Sequence, residues 1–565
     1  MPTLVCVPIP VDDIERALAD ANQAKLLGAD LVELRIDSYF PGSEGDEEDA
    51  RRVAELQGLI ADCPLPAILT CRSAEEGGDY DGDEVDRVSM LEKLCVNTDH
   101  PPAYLDFELA SYQRSANIRQ KINLCVDHPK QERDVRTRLI LSMHDFDGRP
   151  KDLMRKLADA WGEPAASVVK FAFRARSIRD NLEIFEILRD APKPTIGLGM
   201  GEFGLMSRVL APKFGGFLTF ASLRDETATA PGQPTISDLL GMYRFRSISK
   251  DTKLYGVIGW PVSQSMSPLI HNAGFEARGW DGVYLPMPVA AGDDQETNFH
   301  SFRSSLMELV ESKIVDFKGA SVTLPHKESL STMAREHISD FWDDSDYGEV
   351  TQSGAANTLH MRASDQSGAN SERLVCNTDM RAIATLLGEK MRGVSGKRIA
   401  VIGAGGAGRA AAYILTDRAA KVVVYNRTLD RAMEVVDDIC TAMELEDRCD
   451  LSAATLDDLQ ESGCVAYINC TPVGMTGGPG PEGLSIPVHE LAGKLPPETV
   501  FFDTVYNPIE TPMLKAAREY GFRTIDGVEM FVRQAAAQFE LWTGEKAPVQ
   551  LFDRLVREKL YQQVG

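Results

Sequence analysis

Leu31-Val-Glu-Leu-Arg-Ile-Asp37 is the stretch on which the fold turns. Side chains alternate across a strand, so Glu33, Arg35 and Asp37 share one face while Val32, Leu34 and Ile36 share the other. Such a strand suits a closed barrel, with the apolar set against helices and the charged set pointing inward. Comparable runs recur at 4–9, 66–72, 103–108, 138–143, 167–173, 194–200 and 217–222, with helical patterns between them at 11–27, 48–61, 84–96, 150–160 and 178–190. Strands alternating with helices pair in parallel through crossovers. Eight such units predict an α/β fold that begins with a (β/α)8 TIM barrel over residues 1–246. An open doubly wound sheet is the alternative, but it usually has fewer strands and a glycine-rich loop after the first. No such loop follows here.

At 565 residues the chain is too long for one core. A short polar join, 246–252, leads to a second α/β region, expected at 253–382. A Rossmann domain is expected at 383–526, and the last helical pattern, 527–562, folds back onto one of these two. The net charge of −25 argues against nucleic acid and anionic membranes, which require a basic footprint. An anionic substrate therefore needs local arginines. No run approaches 18 apolar residues, and the first residues read as a strand rather than a leader, so a cytoplasmic protein without a membrane span is expected. The ten cysteines show no Cys-x-x-Cys pair, so neither a metal site nor a disulfide framework is expected. The acidic stretches Glu44–Asp49 and Glu75–Asp86 read as solvated loops, the second alternatively as a cover over the barrel mouth.

Inward-facing Glu33 and Arg35, with Arg72 and Glu108 at the ends of later strands, are costly to bury unless they pair or bind substrate. An internal ion-pair network that merely closes the barrel is an equal alternative. Lys170 shifts that balance. It interrupts the apolar strand Ser-Val-Val-Lys-Phe-Ala-Phe, where burial and neighbouring arginines would expose a nucleophilic amine able to form a Schiff base with a ketone. His144, ending the fifth strand, can move the adjacent proton, with Glu108 or Glu33 to orient it.

In the second half, strand 397–402 runs into Gly403-Ala-Gly405-Gly406-Ala-Gly408 and an alanine-rich helix. These glycines permit a tight turn and let a pyrophosphate approach the helix N-terminus. The next strand ends at Asn426-Arg427-Thr428, where a cation and donors suit a 2′-phosphate, so NADP is expected; Asp430 keeps NAD in view. Lys327 and Asp379 read either as a surface ion pair or as a proton donor for a carbonyl, and Ser263, Ser265 and Ser267 as a turn or as a binding cluster.

Residues 1–245 resemble type I 3-dehydroquinate dehydratases through Glu33-Leu-Arg-Ile-Asp37, Thr70-Cys-Arg-Ser-Ala-Glu-Glu-Gly-Gly78, Asp106-Phe-Glu108, Ser142-Met-His-Asp-Phe146, Val169-Lys170, Ser207-Arg208 and Ala230-Pro-Gly-Gln233. The resemblance implies Lys170 as imine former and His144 as proton shuttle assisted by Glu108. It also implies that Glu33, Arg35, Arg72, Arg208, Thr229 and Gln233 hold the substrate, with no metal. Thr229 stands where the family often has serine.

Residues 253–562 resemble shikimate dehydrogenases through Ser265-x-Ser267-Pro, Thr323-Leu-Pro-His-Lys327, Gly354-Ala-Ala-Asn357-Thr, Asn377-Thr-Asp379, Ile468–Met475, Asp503–Pro508, Asp526-Gly-x-x-Met530 and Gln534-Ala. This implies catalysis by Lys327 and Asp379, and substrate binding by Ser265, Ser267, Thr323, Asn357, Tyr506 and Gln534. Cofactor binding falls to Gly403, Gly405, Gly406, Gly408, Asn426, Arg427, Thr428, Arg431, Thr471, Gly527 and Met530. Gln264 and Ser321 depart from the family's usual histidine and asparagine. The fused order resembles the bifunctional dehydratase–dehydrogenase, whose substrates would be 3-dehydroquinate, 3-dehydroshikimate and shikimate. A quinate dehydrogenase in the second half, and a binding protein with inactive sites, are the rival readings.

Overall fold

The computed structural model describes residues 2–96, 98–130, 135–224, 232–336, 345–362, 372–444 and 450–564. The chain forms two compact units, Met1–Thr252 with Ser312–Asp316, and Lys253–Glu311 with Phe317–Gly565.

The first unit is a barrel of eight parallel strands: β1 (Leu4–Pro10), β2 (Leu31–Arg35), β3 (Ala67–Thr70), β4 (Tyr104–Glu108), β5 (Arg138–Asp145), β6 (Ala166–Arg174), β7 (Thr195–Met200) and β8 (Leu218–Phe220). Neighbours pair in chain order and β8 returns to β1. The seam is drawn together where Phe217 N donates to Thr195 O at 2.9 Å. Alternation along each strand does what the sequence requires. Val32, Leu34 and Ile36 are fully buried, as are Val169 and Phe171 on β6, on the face turned to the helices. Cys6, Leu31, Ile68, Tyr104, Ile140 and Val168 belong to one apolar cluster inside the barrel. Two residues further along β2, β4 and β6 the inward side chains are Glu33, Asp106 and Lys170. The barrel is thus plugged by hydrocarbon, and ionisable groups gather toward the strand C-terminal ends, where barrels carry their chemistry.

The second unit contains two sheets. The first, in the order β10-β9-β11-β12-β13, comprises β9 (Lys253–Gly259), β10 (Gly282–Pro288), β11 (Phe317–Val322), β12 (Thr358–Arg362) and β13 (Glu372–Cys376). β12 runs antiparallel to its neighbours. The helices Gly527–Thr543 and Val549–Val564 pack through Phe539, Trp542, Phe552 and Val556 against Tyr255 and Tyr284 of this sheet and Phe275 of the helix Ser267–Arg278. The second sheet is wholly parallel, in the order β16-β15-β14-β17-β18-β19: β14 (Arg398–Ile402), β15 (Lys421–Asn426), β16 (Leu451–Thr455), β17 (Ala466–Asn469), β18 (Val500–Asp503) and β19 (Arg523–Ile525). That order is Rossmann-like, with the switch point at β14, and ligands of such sheets lie outside the strand C-terminal ends at that point.

Two candidate active sites

In the barrel, Lys170 is buried, and its Nζ donates to Asp106 Oδ2 at 2.9 Å and Glu33 Oε1 at 3.2 Å. The amine also lies 4.6 Å from the centre of the Phe220 ring. Its polar partners are therefore carboxylates, where the sequence led us to expect arginines. Thr70 Oγ1 donates to the same Glu33 oxygen at 2.9 Å. Asp106 is gripped from the other side by Arg72 Nη2 at 2.8 Å and accepts from Ser142 Oγ at 2.6 Å. Burial pushes the Asp106 carboxyl up, but Arg72 and then Lys170 outweigh it and hold the group well below the usual carboxylate range.

His144 follows Ser142 on the inward face of β5, and Ser142 is in register with Lys170. Its Nδ1 lies 3.0 Å from Glu76 Oε2, and its backbone N–H donates to the same oxygen at 3.0 Å. Glu76, not Glu108 or Glu33, is thus the carboxylate that orients the imidazole. Burial, then Arg72 and Lys170, push His144 well below its ordinary value, so the ring is neutral and able to accept a proton. Burial lifts Glu76 to about 7. Glu108 is engaged elsewhere: it accepts from Ser73 N at 3.0 Å and pairs with Arg72 at 3.3 Å and Arg87 at 2.9 Å.

Arg35 is held by Asp37 through two bonds of 2.9 and 2.8 Å. Arg208 lies on the short helix Leu205–Val209 and is buried. Its Nε has no hydrogen-bond partner among the described residues, and burial lowers the guanidinium to about 10. A buried cation of this kind calls for an anion. Gln233 is buried. Thr229 lies outside the described residues.

In the second unit, Lys327 opens the helix Lys327–Glu336 and its Nζ is hydrogen-bonded to Asp379 Oδ2. Asp379 sits in the first turn of the helix Thr378–Met391, capped by Asn377, whose Oδ1 accepts from Asp379 N at 3.1 Å. Asn357 Oδ1 accepts from Thr378 N at 2.8 Å, and Thr378 Oγ1 reaches Gln534 Oε1 at 3.4 Å. Ser267 N donates to Ser265 Oγ at 3.3 Å, so the serine cluster is itself a tight turn. Thr323 is half-buried directly after β11. The Tyr506 ring stacks on Phe531 at 4.6 Å, and burial pushes its phenol up. Of the two departures, Gln264 is exposed. Ser321 is buried, accepting from Tyr284 Oη at 2.6 Å and donating to Gln538 Oε1 at 2.8 Å.

The glycine turn abuts this pair. Gly403 has φ +108, and a Cβ on Gly408 would lie 1.9 Å from Gly403 O, so strand and helix can meet this closely only without side chains. A Cβ on Gly406 would lie 2.9 Å from Lys327 Cβ. Gly405 caps the helix Gly406–Asp417 with no side-chain hydrogen bond, and a Cβ there would meet nothing within 4 Å. A helix start left uncapped beside open space fits a dinucleotide pyrophosphate. Beyond β15, Asn426 Nδ2 donates to Thr428 O at 2.9 Å, and Arg427 and Arg431 are exposed. Thr471 donates to Asn469 Oδ1 at 2.6 Å. Gly527 packs against Val505 O, and Met530 is buried one turn later.

Three polar side chains bonded to the candidate site residues escaped the sequence reading: Glu76, Asp106 and Gln538. The first two lie inside quoted motifs, and nothing in the pattern said which carboxylate meets which cation. Gln538 is one helical turn past Gln534, a spacing that puts both on one face.

Comparison with known proteins agrees with this division. Residues 5–250 match the model of type I 3-dehydroquinase. Residues 257–359 match the shikimate dehydrogenase substrate binding domain, 385–461 the shikimate/quinate 5-dehydrogenase model, and 527–557 the shikimate 5′-dehydrogenase C-terminal domain. The chain is 35% identical to the bifunctional 3-dehydroquinate dehydratase/shikimate dehydrogenase, chloroplastic, of Arabidopsis thaliana, over 98% of this chain and 84% of that protein. It is 29% identical to the shikimate biosynthesis protein AroDE of Chlamydia pneumoniae, over 91% and 90%. Its second part is 32% identical to the shikimate dehydrogenase (NADP(+)) of Methanocella arvoryzae, over 54% of this chain and 99% of that protein. Matched in turn by the type I 3-dehydroquinase and shikimate dehydrogenase models, and 35% identical to a bifunctional relative over 98% of its length, the chain belongs to the bifunctional 3-dehydroquinate dehydratase/shikimate dehydrogenase family.

Proposed function

We propose that the barrel dehydrates 3-dehydroquinate through an imine on Lys170 and that the second unit reduces the product, 3-dehydroshikimate, to shikimate with NADPH. One observation carries the first step: a buried lysine amine between two carboxylates, with a neutral histidine two residues beyond its register partner Ser142 on the neighbouring strand. The free amine adds to the ketone and water leaves, forming a C=N bond. Its protonated form draws electrons from the neighbouring carbon, whose proton passes to His144 Nε2. The enamine then expels the β-hydroxyl, which takes a proton from His144 and departs as water; hydrolysis of the imine frees the product. Glu76 holds the ring by Nδ1 and stabilises the imidazolium formed in transit. Arg208, with Arg35, Gln233 and the undescribed Thr229, receives the carboxylate and hydroxyls of the substrate.

In the second unit, residues 253–382 with 527–562 form the substrate domain and 383–526 the cofactor domain. The helix start at Gly405–Gly408 would receive the pyrophosphate, and Arg427, with Asn426, Thr428 and Arg431, would receive the 2′-phosphate. Thr471 and Gly527 would help hold the cofactor, and Met530 would flank its nicotinamide. When bound, reduced NADP supplies the hydride. Lys327 donates a proton to the carbonyl oxygen and Asp379 holds its ammonium in place. Ser265, Ser267, Thr323, Asn357, Tyr506 and Gln534 ring the substrate. Ser321, where the family commonly has asparagine, donates to Gln538, whose Nε2 donates to Thr358 Oγ1 at 2.9 Å, so the substituted position is itself hydrogen-bonded.

The direct test is to supply the purified chain with 3-dehydroquinate, with and without NADPH, and to add borohydride in a parallel sample. Shikimate must form only with NADPH, and the reduced adduct must map to Lys170. An adduct elsewhere, or none, rejects the imine scheme. Faster turnover of quinate than of shikimate, or a preference for NAD, rejects the second assignment. A cytoplasmic location belongs to the same reading and is checked by cell fractionation. Among the described residues, no helix is long and apolar enough to cross a membrane.

A further inference from the structure

We infer that Arg87, outside the strand wall, is a positioning residue for the dehydratase and acts on Lys170 through a file of alternating charges. This rests on the reading of Lys170 as the imine-forming amine. Arg87 lies on the helix Glu84–Cys95 and is fully buried, which is rare for arginine unless its charge is answered. Its Nη1 stands 2.9 Å from Glu108 Oε2 and donates to Cys71 O at 2.8 Å, and its Nη2 pairs with Glu84 at 2.7 Å. The guanidinium covers the Phe107 ring at 4.7 Å. Glu108 is shared: it also faces Arg72 at 3.3 Å. Arg72 holds Asp106 at 2.8 Å, and Asp106 holds Lys170 at 2.9 Å, with Glu33 beyond at 3.2 Å. Arg87, Glu108, Arg72, Asp106, Lys170 and Glu33 thus alternate in sign from the helix layer to the reacting amine.

The consequence follows from Coulomb's law at low dielectric. Without Arg87, Glu108 keeps one strong cation in reach, Arg72, and draws it from Asp106. Asp106 then holds the proton of Lys170 more firmly, and the free amine forms only at higher pH. Without the charge of Glu108, Arg72 turns wholly to Asp106, and the free amine forms at lower pH. The other groups facing Lys170 stay in place: Cys6 on β1, His144 on β5 and the Phe220 ring on β8. Glu108 also fixes Ser73 N, where the segment carrying Glu76 begins, so the same file steadies the partner of His144.

A packing role alone, with Arg87 as a lid on Phe107, makes a different prediction: it gives no opposed signs. The experiment measures the rate of borohydride-trapped adduct at Lys170 with 3-dehydroquinate across pH, for the full chain and for Arg87→Met, Glu108→Gln and the double variant. Arg87→Met is expected to move the midpoint up by about one pH unit and to lower kcat about tenfold, with KM changed less. Glu108→Gln is expected to move the midpoint down, and the double variant to return near the parent. An unchanged midpoint in Arg87→Met, or shifts of the same sign in both single variants, overturns the inference. Should Arg87→Met not fold, Glu108→Gln and Arg87→Lys decide. The first must still shift downward and the second must hold the parent midpoint; failure of either overturns it. Absence of any Lys170 adduct in the parent would instead remove the imine reading itself.

Discussion

Both halves of the chain place a lysine against an aspartate, yet they surround it differently. In the barrel, Lys170 touches two carboxylates, one of them shared with Arg72, and lies inside a file of buried ions. In the second unit, Lys327 meets one carboxylate, Asp379, at the edge of a glycine turn and remains partly exposed. The difference fits what the proposed mechanism asks of each amine. A lysine that must lose its proton, bond to carbon and regain its charge needs neighbours that remain balanced in every state. A lysine that only lends a proton needs one anion and a route to resupply, while the reducing equivalents come from a bound carrier.

The contrast can be broken most severely at the first lysine. Lys170→Met is expected to cut dehydratase turnover by about a thousandfold or more, leaving shikimate oxidation within about twofold. Equal loss in both assays would show that the two sites are not independent. Lys327→Met is the mirror experiment: reduction of 3-dehydroshikimate should fall about 10²–10⁴-fold while dehydration persists, and a loss under tenfold would mean that another group donates the proton.

A third variant sharpens the difference through pH. Glu76 is raised to about 7 while His144 is depressed, so the pair takes up a proton as the pH falls through about 7, and base capacity declines below that point. Glu76→Gln removes that ionisation. The acid limb of dehydratase kcat/KM should then move to lower pH, with kcat at pH 8 down about 10- to 100-fold because the imidazolium loses its anion. A limb that stays in place would assign the ionisation elsewhere; the dehydrogenase profile should not move. The smallest effect belongs to the cofactor. Arg427→Ala should raise KM for NADPH about tenfold, the equivalent of about 1.4 kcal/mol, and leave that for NADH nearly unchanged. Equal changes for both would place the arginine away from the 2′-phosphate.

Much of this was legible because alternation is a local rule. Glu33 and Lys170 sit on inward faces for the same reason that Val32 and Phe171 do not, and the glycine turn follows a strand and precedes a helix as its spacing demands. What alternation leaves open is height. Strands in a barrel are staggered, so Lys170 stands level with Ser142 on β5, while Asp106 on β4 is level with Ile140 and reaches it diagonally. No one-strand pattern reveals that Asp106 rather than Glu108 takes the amine. Glu76 was hidden for another reason: it belongs to a short turn after β3, and an acidic loop reads as solvent-facing until the histidine it meets is placed. Arg87 was invisible, since an arginine on an amphipathic helix normally points to water. Thr229, expected to bind substrate, lies outside the described residues.

One missing methyl group has a larger reach than its size. A Cβ on Gly406 would stand 2.9 Å from Lys327 Cβ, so any side chain there would force the lysine or the start of the helix Gly406–Asp417 to shift. In the proposed mechanism the acid and the nucleotide therefore share one turn of backbone, and Gly406→Ala is expected to disturb both.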